Sequence, residues 1–98
     1  MREITEYEFD PEIEQFSVYM PSGSTILTAQ VKNEKLVIWA LATVDTWINP
    51  AKRNFIILET GVVSKYIGNL QFIATLQLEI GTDRNRRCGR SIHLFEEK

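Results

Sequence analysis

The chain predicts a small all-β fold: an antiparallel sandwich or open barrel of about seven strands, with at most one short helix. Three observations carry this. Short runs in which apolar and polar side chains alternate recur along the chain, whereas a helical period is weak throughout. The stretch from Lys35 to Val44 is apolar at eight of ten positions and rich in β-branched and aromatic residues, which marks a strand with both faces dry. Turn formers punctuate the runs at Asp10-Pro11, Met20-Pro21-Ser22-Gly23, Asn33-Glu34, Asn49-Pro50 and Gly61.

Taken in order, Ile4 to Phe9 alternates as a first strand, whose acids discourage edge pairing. Phe16, Val18 and Met20 alternate with Gln15, Ser17 and Tyr19 as a second. In the turn that follows, Pro21 presets φ at the first central position and Gly23 accepts a positive φ. The third strand, Thr25 to Val31, is expected to turn Leu27, Ala29 and Val31 inward. Asn33-Glu34 then makes a tight hairpin into the Lys35 strand, where Trp39 is expected to be buried. Asp45 to Arg53 reads as a surface loop holding Trp47, Lys52 and Arg53. Asn54 to Thr60 is a fifth strand, apolar on both faces and expected beside the Lys35 strand. Residues 62–69 read as a loop or one helical turn. Leu70 to Leu78 alternates, with Leu70, Phe72, Ala74, Leu76 and Leu78 on one face and only Ile73 breaking the polar side, and Ser91 to Glu96 closes the chain as a strand carrying His93.

Ninety-eight residues make one domain with one core, spanning 1–98. No apolar run approaches the roughly 20 residues of a membrane span, and the acidic N-terminus lacks a signal peptide's pattern, so a cytoplasmic protein is expected. Cys88 is a single thiol and His93 a single histidine, which leaves no metal-ligand spacing and no cofactor motif. The net charge of -2 hides an asymmetry: residues 1–16 hold six acids against Arg2, and residues 81–90 hold four arginines against Asp83.

Met20-Pro21-Ser22-Gly23 before an apolar strand, Trp39-Ala40-Leu41, Arg53-Asn54-Phe55 leading to Thr60-Gly61, and His93-Leu94-Phe95-Glu96 together resemble a family of small domains of unknown function found in phages and prophages. The resemblance covers about residues 15–96. It implies a phage setting, hence the host cytoplasm, and a small β-rich fold, with no activity attached.

The segment from Gly81 to Arg90 concentrates Arg84, Arg86, Arg87 and Arg90, forked donors suited to phosphate or carboxylate. A solvated hairpin, or arginines paired with the acidic N-terminal segment, is the plainer reading of the same charges. Arg53, Trp47 and His93 complete the candidate ligand-binding set, with Trp47, Tyr66 or Phe95 available for stacking on a base. Catalysis has little to build on: Ser91 and His93 share a face but stand about 7 Å apart along one strand. The expected function is therefore non-enzymatic binding, by sequestration of an anionic small molecule such as a nucleotide signal of host antiviral defence. The alternative is an inhibitor or adaptor that grips a host or viral protein through its sheet face. Nucleic acid is disfavoured, since one basic segment in an acidic chain offers few phosphate contacts. Self-association is expected, because two strands apolar on both faces present more surface than one small sheet covers.

Overall fold

The structure is a computed structural model that describes residues 2–43, 50–66, 68–78 and 90–98. Its strands are β1 (Arg2–Phe9), β2 (Gln15–Pro21), β3 (Thr25–Lys32), β4 (Lys35–Thr43), β5 (Pro50–Glu59), β6 (Leu70–Leu78) and β7 (Arg90–Glu97). They form two antiparallel sheets, of order β1-β4-β3 and β2-β5-β7-β6. No helix occurs among the described residues and neither sheet closes into a barrel. The arrangement is that of a β-sandwich. No helix of the described residues is long and apolar enough to cross a membrane.

The core lies between the sheets. β4 contributes Leu36, Ile38 and Ala40, β5 contributes Phe55 and Ile57, and β7 contributes Ile92 and Leu94, all nearly sealed from water. Phe9, Phe16 and Phe55 run in series at one end, with ring centroids 4.2 and 5.5 Å apart. Each such side chain contributes roughly 1.5–3 kcal/mol by leaving water, so these rows fix the register of both sheets.

β4 is central, flanked by β1 and β3, as its double apolarity implies. β5 does not lie beside it: β5 sits in the other sheet between β2 and β7. Two strands apolar on both faces share a pattern without sharing a partner. β5 also begins earlier than expected, at Pro50, so Lys52 and Arg53 are strand residues rather than loop residues. A proline at a strand's first position costs no ladder bond.

Two β-bulges overturn the expected facing of several residues. One falls between Ile26 and Thr28, the other between Phe72 and Ala74. Each inserts a residue, so alternation slips by one. Leu27 therefore turns outward and is 46% exposed, while Ile26 packs against the core in its place. Phe72 turns outward with Leu70 and is 56% exposed, and Ile73 takes the inward position. Trp39 is half-buried, not buried, because it lies on the outer face of β4.

The turns are close to expectation. Ser24 N donates to Pro21 O at 3.1 Å, so Ser22 and Gly23 are the central pair, one residue later than expected, with Gly23 at φ +79°. Asn33 and Glu34 both have positive φ, 54° and 65°, which is the type I′ geometry of a two-residue hairpin. A left-handed conformation costs a non-glycine residue roughly 1 kcal/mol. Glu34→Gly should accordingly raise stability by about 0.5–1 kcal/mol, read as a higher denaturant midpoint with an unchanged slope.

Candidate functional site

The candidate residues are dispersed by the fold. Arg53 lies in β5 opposite Val18, and its guanidinium meets the Glu96 carboxylate of β7 by Nε to Oε2 and, at 3.0 Å, by Nη2 to Oε1. Nη1 donates to the Ser24 carbonyl at 2.9 Å. This fork ties the start of β3 to the second sheet. The two side chains are 20% and 14% exposed, so the pair is largely shielded. Its hydrogen bonding to Glu96 raises the Arg53 pKa above the ordinary value, against an opposing effect of burial. The pair lines a cleft of about 360 Å³ with Leu27 and Phe72.

His93 stands on the outer face of β7. Its Nε2 is 2.6 Å from Thr60 Oγ1 and its Nδ1 is 2.9 Å from Thr75 Oγ1. Whichever nitrogen carries the proton, both are engaged, and the ring joins the end of β5, β7 and β6. Ser91 turns instead to Gln77, whose Nε2 donates to Ser91 Oγ at 2.9 Å. Serine and histidine on this face therefore belong to separate hydrogen bonds rather than to a nucleophile and its base.

Arg84, Arg86, Arg87 and Trp47 lie outside the described residues. Arg90 begins β7 and pairs with Leu78 of β6, so the arginine segment joins two neighbouring antiparallel strands. Glu59 pairs with Ile92 near that end of the sheet, and Arg53 lies six residues back along β5, roughly 20 Å away at strand rise. The structure thus separates Arg53 from the hairpin end that carries Arg90, and gives it an internal partner.

What sequence reasoning left unplaced is which sheet face stays without a covering layer, and the sheet order makes it the outer face of β1-β4-β3. Val37, Trp39 and Leu41 run along its centre, with Glu8, Glu6 and Ile4 opposite them on β1 and Gln30, Thr28 and Thr25 on β3. Val37 is fully covered by its surroundings, Trp39 and Leu41 are half-buried, and Ile4 is 58% exposed. Leu27, at the bulge, lines the cleft of Arg53, Glu96 and Phe72 instead. Among the described residues no third layer covers this face. Its signal was the double apolarity of β4, which only the sheet order turns into an open surface.

On the other sheet, Tyr66 from the β5–β6 connection lines a cleft with Gln15, Asn54, Ile56 and Glu97. Its hydroxyl is enclosed, with no hydrogen bond of regular geometry. A Cβ placed on Gly68 would stand 2.3 Å from that oxygen, so only glycine lets the ring rest there. Burial first, then Glu97, raises the Tyr66 pKa above 10.0, and burial first, then Glu3, does the same for Tyr7. Above pH 10 the unfolded chain releases these protons before the folded one, so stability should fall as pH rises through that range. A chemical-denaturation series from pH 8 to 11 reads this, and Tyr66→Phe with Tyr7→Phe should flatten it.

Among the described residues no group of three or more His, Cys, Asp or Glu side chains could hold a metal ion. No curated protein and no solved structure matches the chain. A family model described as Domain of unknown function (DUF7352) matches residues 1–98, and the chain belongs to that family.

Proposed function

We propose that this chain is a non-catalytic binding module that engages a partner protein through the outer face of β1-β4-β3. The observation that carries the reading is half-buried Trp39 and Leu41, flanked by exposed Ile4, on a sheet surface over which the described residues place no third layer. Apolar surface of this kind, rimmed by Glu6 and Glu8, has the layout of an interface core and its polar border. The resemblance to small phage and prophage domains supports a setting in the infected cell's cytoplasm, where a host defence protein is the partner class. The test is affinity capture from a bacterial host by the tagged chain and by its Ile4→Glu variant. Ile4 is 58% exposed, so the fold is kept. The variant should lose what the native chain retains, and equal retention by both would overturn the reading.

One further observation favours a second reading. β6 and β7 are adjacent and antiparallel, the sequence between them holds Arg84, Arg86 and Arg87, and Arg90 opens β7. Four guanidiniums so close in sequence suit sequestration of an anionic nucleotide of host defence without turnover. Thermal shift against cyclic di- and trinucleotides and nicotinamide-derived nucleotides tests it, since a ligand that binds only the folded state raises the midpoint. The shift should vanish in the quadruple alanine variant, and its persistence there would exclude the arginines.

A further inference from the structure

We infer that the cleft between the β3 and β6 edges is a binding site for a guanine base carried by a free nucleoside or nucleotide. The inference is independent of both readings above. The cleft lies at the seam of the two sheets rather than on the outer face of β1-β4-β3, and Arg53 on its floor stands roughly 20 Å along β5 from the end that neighbours Arg90.

The seam is built open. β3 and β6 belong to different sheets and approach each other along one side of the sandwich. The bulge of β3 between Ile26 and Thr28 and that of β6 between Phe72 and Ala74 both fall on this seam, and Leu27 and Phe72 line the cleft from its two banks. A bulge gives up ladder pairing to re-aim a side chain, and two of them on neighbouring edges hold the seam apart. Leu27 and Phe72 both remain exposed, an apolar pair that the core does not use. The space between the banks is about 360 Å³, near the small end of the roughly 300–1,000 Å³ of small-molecule sites, so it takes one ring system rather than a dinucleotide.

The floor selects the ring. A guanidinium has five N–H groups. Among the described residues Arg53 gives its Nε hydrogen and one from Nη2 to Glu96, and one from Nη1 to the Ser24 carbonyl, so one donor remains on Nη1 and one on Nη2. Each Glu96 oxygen accepts one of those bonds and keeps a second lone pair. The floor therefore offers a donor, a donor and an acceptor in that order, with no net charge. Guanine carries the complement along one edge: the N7 acceptor, the O6 acceptor and the N1–H donor. Adenine sets its N6 amino group where O6 stands, so a donor would face a donor. A bare anion is a poor occupant, because any group drawn to Arg53 by charge meets the Glu96 carboxylate as well. The pair is largely shielded, which lets its remaining hydrogen bonds form with little competition from water. The ring lies between Leu27 and Phe72, and the face of Phe72 supplies stacking.

The experiment is a titration of the isotope-labelled full chain with guanosine, followed by backbone amide shifts. The nucleoside carries no phosphate, so the arginine segment does not account for a response. Guanosine should shift the Leu27, Gln71 and Phe72 amides saturably, with a Kd of roughly 10–500 μM. Inosine keeps N7, O6 and N1–H and should match it, whereas 7-deazaguanosine and 1-methylguanosine each lack one contact and should bind roughly tenfold more weakly. Adenosine should not compete. Phe72→Ala should weaken guanosine roughly fivefold or more. Tyr19→Ala, at an exposed position of β2 outside the cleft, should leave binding unchanged. Arg53→Lys keeps a cation beside Glu96 without the fork and should remove the preference for guanosine over adenosine. A short single strand with one guanine separates the sources of the base: affinity close to that of guanosine supports the free source, and a gain of about tenfold or more would overturn it in favour of nucleic acid. No shift at these amides with about 1 mM guanosine, or equal binding of adenosine or 7-deazaguanosine, would overturn the site itself.

Discussion

Phe55→Ala should lower the unfolding free energy by about 3–5 kcal/mol. Phe55 is 2% exposed, faces the other sheet and stacks on Phe16 at 5.5 Å. Its removal leaves a cavity between two sheets whose backbones are held apart by their neighbours, so little collapse relieves it. A domain of this size has an unfolding free energy of about 5–15 kcal/mol, and the variant should melt tens of degrees lower or fail to fold. Trp39→Ala, by contrast, should cost less despite the larger side chain, because Trp39 is half-buried on a face that keeps contact with water. Thermal melts of the two variants side by side check the sandwich: equal losses would place Trp39 in the core and contradict the sheet order.

Arg53→Met should cost about 2–3 kcal/mol, and the double variant Arg53→Met, Glu96→Leu less than the sum of its parts. The single substitution leaves the Glu96 carboxylate shielded without its partner and removes the donor to the Ser24 carbonyl. The double one replaces both charges by apolar groups of similar reach. A double-mutant cycle in denaturant measures the coupling, and strict additivity would show that the pair is only a neighbourly contact. The Arg53 pKa is raised, so the stability that it contributes is complete below the unfolded arginine's ordinary value and is lost only as pH climbs past it. Titration of this arginine therefore gives no pH dependence in the working range.

How far the fold could be read ahead differs from strand to strand, for physical reasons. β6 has the expected bounds of Leu70 to Leu78, because alternation over nine residues leaves little choice of secondary structure. Its facing was half wrong, because an inserted residue such as Ile73 leaves the composition of a strand unchanged and shows only as one apolar residue among the polar ones. Arg53 was misplaced in a loop because Asn49-Pro50 and two cations read as surface. The counter-charge that makes Arg53 a strand residue is Glu96, distant in sequence and brought near only by the β5–β7 pairing. His93 was legible as a hydrogen-bonding group, but Thr60 and Thr75 as its partners were not. The double apolarity of β4 was legible, but its cover was not, for a different reason: hydropathy marks a side chain that avoids water, and does not say whether the same chain or another molecule provides the cover.

The Ile73 bulge also bears on how the molecule avoids polymerising. β6 is an edge strand of nine residues, Leu70 to Leu78, with no charge, no proline and no glycine, the composition that pairs readily with further copies of itself into cross-β fibrils. Without Ile73 the remaining residues would alternate without fault: Phe72 stays opposite Phe95, Ala74 opposite Leu94 and Thr75 opposite His93. A deletion of Ile73 would thus leave a well-formed but flat edge, and slow growth of thioflavin-positive fibres from folded protein should follow. The extra residue bends that edge out of register with an incoming strand. One isoleucine, placed where it interrupts a perfect ladder, should therefore decide how readily that edge admits another strand.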